Sequence, residues 1–231
     1  MFSKQSLINY REGIERALDW YARFPVESLE VCISSGNRKV GKIPNVSLPP
    51  ILTCPHCDKC CTECYDIKAC LQYANVRNAR ARNLSILRRN FALYWEQLRA
   101  KLARKRKLTH FRFHVGGDMI SAEYFKEMVK TARMFPHVRF WTYTKAHEIV
   151  NEYVRTHGKT KAKAIPDNLK IMFSVWEGMT CNNPYRFGTF IVVMEGQTPP
   201  KGVWHCTGDC GLCIKANRGC IIGETSWIHK H

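Results

Sequence analysis

No stretch of the 231-residue sequence is apolar for long enough to cross a membrane. The longest runs, such as Phe190-Ile191-Val192-Val193-Met194, fall far short of the roughly 20 residues a spanning helix needs. A secretory leader is not expected either, because the N-terminal stretch through Phe24 carries charges where a leader holds its apolar run. Both absences point to a soluble chain without a membrane partner, in a reducing, cytoplasmic compartment. Acidic side chains are scarce as well, 19 Asp and Glu against 36 Lys and Arg, which leaves a net charge of +17. Internal repeats and low-complexity tracts are missing. A content of 45% hydrophobic and 11% aromatic residues excludes a disordered basic tail or a collagen-like chain. At roughly 100–200 residues per domain, the length suits one domain with at most a small appendage.

Cysteine is what the chain has in excess, 12 in all. Disulfide scaffolds belong mainly to short secreted chains, and this chain is long enough to build a core without staples. The distribution also argues against disulfides. Six cysteines lie between Cys54 and Cys70 and four between Cys206 and Cys220, with Cys32 and Cys181 as singletons. Two dense groups in a soluble chain read as metal sites, and the singletons as small buried residues.

Apolar spacing predicts a helix over 7–24 that ends at Pro25, then a short strand at Leu29–Ile33. A proline-stiffened segment through Pro49-Pro50 leads into the first cysteine group. From Cys70 to about Arg106 there is neither Pro nor Gly, and the spacing predicts one long helix or two in tandem. Phe111–Val115 alternates as a strand and runs into Gly116-Gly117-Asp118. Ser121 then caps a helix that Pro136 stops. A strand at 138–144, a helix at about 146–156, a basic linker at 158–164, and strands at Leu169–Val175 and Phe187–Met194 complete an alternation that predicts βαβ units with a parallel sheet.

The first group reads Cys54-Pro55-His56-Cys57-Asp58-Lys59-Cys60-Cys61-Thr62-Glu63-Cys64. Two CxxC knuckles that share a tetrahedral zinc are usually separated by a dozen residues or more. Here Cys57xxCys60 abuts Cys61xxCys64, so these four suit one zinc poorly. A compact loop suits an iron–sulfur cube better, because each iron corner takes its own thiolate. Cys57, Cys61 and Cys64 have the spacing CxxxCxxC, and three thiolates on a four-iron cube leave one iron open. Cys54 with Cys61 and Cys64 is a competing choice, and a purely structural metal site is the bland one.

The order of CxxxCxxC loop, helix, and strand ending in two glycines and an acid resembles the radical S-adenosylmethionine (SAM) enzymes, over roughly residues 45–195. The resemblance implies an incomplete (β/α) barrel with a [4Fe–4S] cluster. It also implies that the SAM amino group is held near Gly116, Gly117 and Asp118, with His114 either facing that site or packing in the core. Asp stands where the family has Glu, and Glu63 where it has an aromatic before the last cysteine. The chain is also similar to the phage gene product 88 family. That likeness is carried by Gly36-Asn37, Ser47-Leu48-Pro49-Pro50, Thr53-Cys54, Cys64-Tyr65, Phe111–His114 with Gly117-Asp118, Phe140–Lys145 and the C-terminal cysteines. It implies a phage or prophage origin, hence the host cytoplasm, and metal binding, without an assigned reaction.

Cys206, Cys210 and Cys213 repeat the CxxxCxxC spacing, with Cys220 beyond. Four thiolates can saturate a cube, so an auxiliary cluster is expected there. Zinc at the same four cysteines, or zinc shared between Cys54 or Cys57 and the C-terminal group, is the alternative.

Between Arg77 and Lys107 stand eleven Lys and Arg against one acid, Glu96. That stripe predicts a positive surface for nucleic acid or a nucleotide, with Trp141, Tyr143, Trp176 and Tyr185 as stacking or core aromatics. The expectation is therefore an α/β chain with an N-terminal helix, a radical SAM-like domain over 1–200 and a Cys-rich metal-binding segment over 201–231. It would act on an anionic substrate, drawing on an electron donor if catalytic. The rival expectation is a metal-stabilised protein that binds nucleic acid without turnover.

Overall fold

The computed structural model describes residues 2–36, 43–194, 196–199, 201–207 and 225–229. Helix α1 (Lys4–Ala22) opens the chain, with Ser3 accepting from the Ser6 N–H at its start. The expected strand at Leu29–Ile33 does not form. Its backbone groups are taken instead by side-chain amides of two later helices, α3 (Ala74–Arg89) and α4 (Phe91–Ala103). The Val31 N–H donates to Gln97 Oε1 and the Cys32 N–H to Asn83 Oδ1. In return Gln97 Nε2 donates to the Leu29 carbonyl and Asn83 Nδ2 to those of Cys32 and Ser47. Asn83 is fully buried. Asn83→Ala is accordingly expected to cost about 2–4 kcal/mol, because three partners lose their hydrogen bonds at once. A urea midpoint unchanged from the parent would contradict this.

The helical region after the first cysteine group is broken twice, into α2 (Tyr65–Gln72), α3 and α4. Tyr73 and Asn90 stand at the breaks in extended backbone, and the Asn90 side chain caps α4 by accepting from the Leu93 N–H. Both breaks lack Gly and Pro; α3 and α4 are the two helices in tandem that the spacing allows, and the break at Tyr73 falls inside the predicted span.

From there strand and helix alternate as expected. The order is β2 (His110–Phe113), α5 (Ala122–Met134), β3 (Arg139–Thr144), α6 (His147–His157), a single-turn α7 (Lys161–Ala164) inside the basic linker, β4 (Leu169–Val175) and β5 (Gly188–Val193). Ser121 caps α5 by accepting from the Tyr124 N–H. With β1 (Asn45–Val46), β6 (Trp204–His205) and β7 (Thr225–His229), these strands form one seven-stranded, all-parallel sheet in the order β1-β2-β3-β4-β5-β7-β6. From β1 to β5 the spatial order follows the chain order, so the winding does not reverse there. The described part of the C-terminal segment extends this same sheet, since β7 pairs with both β5 and β6.

One face of the sheet meets the helices. Phe111 and Phe113 of β2 and Phe140 of β3 stack there, and Trp95 of α4 packs against both Phe113 and Tyr124 of α5. Alternation sends Arg112, Trp141 and Tyr143 to the other face, where Arg112 lies 5.2 Å over the Tyr143 ring. Among the described residues, no helix is long and apolar enough to cross a membrane.

Candidate functional site at the carboxyl edge of the sheet

The cysteine loop between Cys54 and Cys64 is built from two single 3-10 turns, Cys57–Lys59 and Cys61–Glu63. Four ties fix it in place, two of them to β2 and its carboxyl end. Tyr65, just past the last cysteine, donates its hydroxyl to the Val115 carbonyl at 2.5 Å, and Arg112 Nη2 donates to that same hydroxyl. The Phe2 N–H donates to the Thr62 carbonyl, and His56 Nε2 lies 3.2 Å from Glu148 on α6. Cys61 and Cys64 also pack on a small core of Tyr10, Ile14, Ile67 and Cys70.

This placement couples Cys54, Cys57, Cys60, Cys61 and Cys64 in a chain of electrostatic contacts, with Asp118 and Lys145 beside Cys54 and Cys60. Burial pushes the Cys57 thiol up to about 12, helped by Cys61 and Cys60, and a thiol–thiol hydrogen bond joins Cys57 to Cys61. Cys64 is pushed up to about 11 by burial, and Cys54 well above the ordinary thiol value by burial and then by the Asp118 carboxylate. Cys60 is hydrogen-bonded to Lys145. Burial by itself would lower the Lys145 pKa, but Cys60, Asp118 and Cys54 beside it outweigh that and raise it. Cys70 belongs to the core: it is fully buried beside Tyr10 and Ile67.

The glycines at the end of β2 have a packing reason. A Cβ on Gly116 would stand 1.6 Å from Asp66 Oδ2, and one on Gly117 would stand 2.7 Å from Thr53 Oγ1 and 2.8 Å from the Leu48 carbonyl. Gly117 also holds a φ of 79°, a left-handed conformation that glycine adopts without strain. Asp118 is enclosed too. Its carboxylate accepts from the Met119 N–H at 2.7 Å and from the Lys145 N–H at 2.9 Å, which latches the end of β2 to the end of β3. These three residues therefore face protein.

His114 packs in the core. Its Nε2 lies 2.9 Å from the Tyr124 hydroxyl and its Nδ1 is buried without a partner. Burial, with smaller contributions from Arg112 and Arg80, lowers its pKa to about 3. In the unfolded chain it titrates near 6.5, so below that pH the unfolded state takes up a proton that the fold refuses. The stability associated with neutral His114 is full above pH 6.5 and declines towards pH 3, by up to about 1.4 kcal/mol per pH unit. His114→Asn, which tolerates the observed φ of 62°, is expected to flatten that decline. Urea midpoints of both proteins from pH 7 to about pH 4.5 test it, and parallel curves would refute it.

Of the second group, Cys206 is buried beside β7, its N–H donating to the Trp227 carbonyl, while Cys210, Cys213 and Cys220 lie outside the described residues. Among the described residues, no three His, Cys, Asp or Glu side chains are grouped to hold a single metal ion, and no disulfide joins the cysteines from Cys32 to Cys181.

A family model described as gene product 88 matches residues 30–217, most of the chain. The chain belongs to the gene product 88 family. No curated protein and no solved structure matches it. In this gene product 88 protein the matched region contains the whole cysteine loop, the Gly116-Gly117-Asp118 strand end and Lys145.

The basic stripe is less open than its charge implies. Arg80 is buried on Asp66, Arg82 stacks on Tyr21, and Arg89 donates to the Tyr21 and Phe24 carbonyls. Arg99 pairs with Glu127, and Lys101 with Glu30. Exposed charge is concentrated instead at Arg88 and at Arg104–Lys107. Of the aromatics, Trp141 is buried, and Trp176 is half-buried with Lys145 Nζ 5.8 Å from its ring. Lys145, Asp66, Arg80 and Asn151 carry the site without belonging to any spacing motif. Two signals were available for Lys145: it closes the Phe140–Lys145 segment of the family likeness, and it directly follows the last residue of a parallel strand, the edge where α/β sheets bind ligands.

Proposed function

We propose that this gene product 88 protein is an iron–sulfur redox enzyme whose cluster sits on the Cys54–Cys64 loop at the carboxyl edge of the sheet. The observation that carries the reading is the gathering of five thiols on one loop, none in a disulfide, with burial raising the pKa of four, Cys54, Cys57, Cys60 and Cys64, and with Cys54 and Cys60 beside the Lys145 ammonium. The donor set fits: Cys61 and Cys64, with Cys57 or Cys54, would hold the cluster, and the half-buried loop limits water around it. When bound, such a cluster supplies one-electron transfer. Asp118 and the two glycines hold the edge rigid, and Lys145 supplies the nearest cation.

The finer form of this reading, a radical SAM enzyme, is supported by the loop–helix–strand order and by strands that follow chain order from β1 to β5. Gly116, Gly117 and Asp118 do not fit as holders of the SAM amino group, because Asp66, Leu48, Thr53 and two backbone amides already enclose them. That enclosure favours, as a second reading, a cluster- or zinc-stabilised protein that binds nucleic acid without turnover. The net charge of +17 supports an anionic partner under either reading.

Anaerobic purification followed by iron and acid-labile sulfide analysis separates an iron–sulfur cluster from zinc. Iron with matching sulfide is expected, and zinc without sulfide would overturn the iron–sulfur reading. Formation of 5′-deoxyadenosine from SAM and dithionite would establish the finer form, and its absence from fully loaded protein would exclude it.

A further inference from the structure

A second basic surface lies at the other end of the sheet from the cysteine loop. From β1 to β5 the strands follow chain order, and right-handed crossovers then carry the connecting helices to one face. Phe111, Phe140 and Ile171 point to that face and belong to the helix-side core. Alternation sends His110, Arg139, Trp141 and Lys170 to the opposite face, at the amino ends of β2, β3 and β4. Register sets them side by side: His110 pairs with Arg139 and Trp141 with Lys170, and the His110 and Trp141 rings lie 6.2 Å apart. The loop that enters β2 adds Arg104-Lys105-Arg106-Lys107, all exposed. No acidic residue stands between Glu96 and Asp118, and β2, β3 and β4 contain none. Among the described residues Lys105, Arg106, Lys107 and the half-buried Lys170 have no ion-pair partner, while Arg104 lies near Glu30, which Lys101 already holds. Asp167 is the one acid in the loops that enter these three strands. Cations gathered without acids repel, and Arg139 accordingly adds to burial in lowering the His110 pKa.

We infer that this amino edge binds the phosphate backbone of a nucleic-acid duplex, with Lys105, Arg106, Lys107 and Lys170 on the phosphates and no base read. Cations spread over a loop and about 10 Å of sheet from β2 to β4 cannot converge on one phosphate, but a chain of phosphates meets several at once. Trp141, the aromatic among them, is only 6% exposed and offers no face to an unstacked base, which favours a duplex over a single strand. The loop exposes no large apolar side chain to anchor in a lipid surface, Leu108 being buried. The inference rests on the anionic-partner reading and adds a place to it. The backbone would be held roughly 20 Å, the length of the six-residue β3, from the edge that carries the cysteines.

The test is fluorescence anisotropy of a labelled DNA duplex of about 20 base pairs with the full chain, at salt from about 0.05 to 0.3 M. Affinity should fall steeply with salt, and a duplex of unrelated sequence should bind alike. Lys105→Gln, Arg106→Gln and Lys107→Gln combined should weaken binding about tenfold to a hundredfold at about 0.1 M salt and reduce the log–log salt slope by about 2–3. Lys170→Gln, on a different element, should reduce the slope by about 1. Removing the same charge at Arg11, Lys68 and Lys126, exposed on α1, α2 and α5, should change little. If this control weakened binding as much as the loop variant, net charge rather than this edge would hold the duplex; the placement would be overturned and the anionic-partner reading would stand. No binding by the parent at the lowest salt would overturn both. A single strand of the same length bound more tightly than the duplex, or tighter binding to phosphatidylserine vesicles, would overturn the inference as well. Iron and sulfide content bears on the cluster alone.

Discussion

Gly116→Ala is expected to destabilise the protein by at least about 3 kcal/mol, and to do so through Asp66. The new methyl carbon would stand 1.6 Å from Asp66 Oδ2 and 2.2 Å from its Cγ. Asp66 cannot swing away cheaply. Arg80 Nε and Nη2 donate to its two oxygens at 3.2 and 3.1 Å, and both side chains are almost wholly buried. Moving the carboxylate strands a buried guanidinium, and breaking a buried pair from one side costs about 3–5 kcal/mol. The mechanism has a sharper signature than the loss itself. Asp66→Ala should be costly alone, yet adding Gly116→Ala to it should cost much less than in the parent, because the carboxyl atoms at 1.6 and 2.2 Å have gone and only the 2.9 Å approach to the Cβ of residue 66 remains. Strong non-additivity in this double-mutant cycle, read from urea midpoints, is the expected result. Additive losses would mean that Gly116 matters for some other reason.

Where punctuation was strong, the fold was legible. Ser121 and Pro136 bracket α5, and the alternating strands before and after it are found at their expected places. The parallel sheet followed from that alternation. Leu29–Ile33 was misread because its apolar pattern suits a strand, while its hydrogen-bond partners, Asn83 and Gln97, lie 51 and 66 residues further along the chain. Two helices in tandem were an open alternative between Cys70 and Arg106, but the positions of the breaks at Tyr73 and Asn90 were not legible, because an extended residue of ordinary type can end a helix without Gly or Pro. β6 and β7 are short, and nothing in their spacing announced that they would join the sheet.

The candidate site was legible in its cysteines and opaque in its charges. Cysteine spacing marks a loop, but it does not reveal which thiols share a pocket; Cys70, counted with the group by sequence, is a core residue. The resemblance placed the SAM amino group at the two glycines, but their close neighbours are Asp66, Leu48 and Thr53. The stripe from Arg77 to Lys107 suggested one open positive face, and long-range contacts instead engage several of its side chains, with Arg80 buried among them. An arginine that binds a backbone carbonyl some 65 residues away, as Arg89 does with Phe24, has no local signature.

The iron content of cysteine variants should sort the loop into ligands and bystanders, with effects close to all or none. Cys61→Ala and Cys64→Ala are each expected to lose most of the iron and sulfide, because both belong to either candidate ligand set and a cube missing a thiolate is poorly held. Cys57→Ala and Cys54→Ala should behave oppositely: one loses the cluster and the other keeps it, which decides between the two spacings. Cys60→Ala should keep it, since that thiol is already engaged by Lys145. Cys70→Ala should keep it as well while lowering the urea midpoint, because it leaves a small void beside Tyr10 and Ile67 worth about 1 kcal/mol. Circular dichroism separates loss of metal from loss of fold in each case. If all six variants retained iron equally, the metal would not reside on this loop; if Cys60→Ala lost it while Cys61→Ala did not, the Lys145–Cys60 contact would be broken in the metal-bound protein.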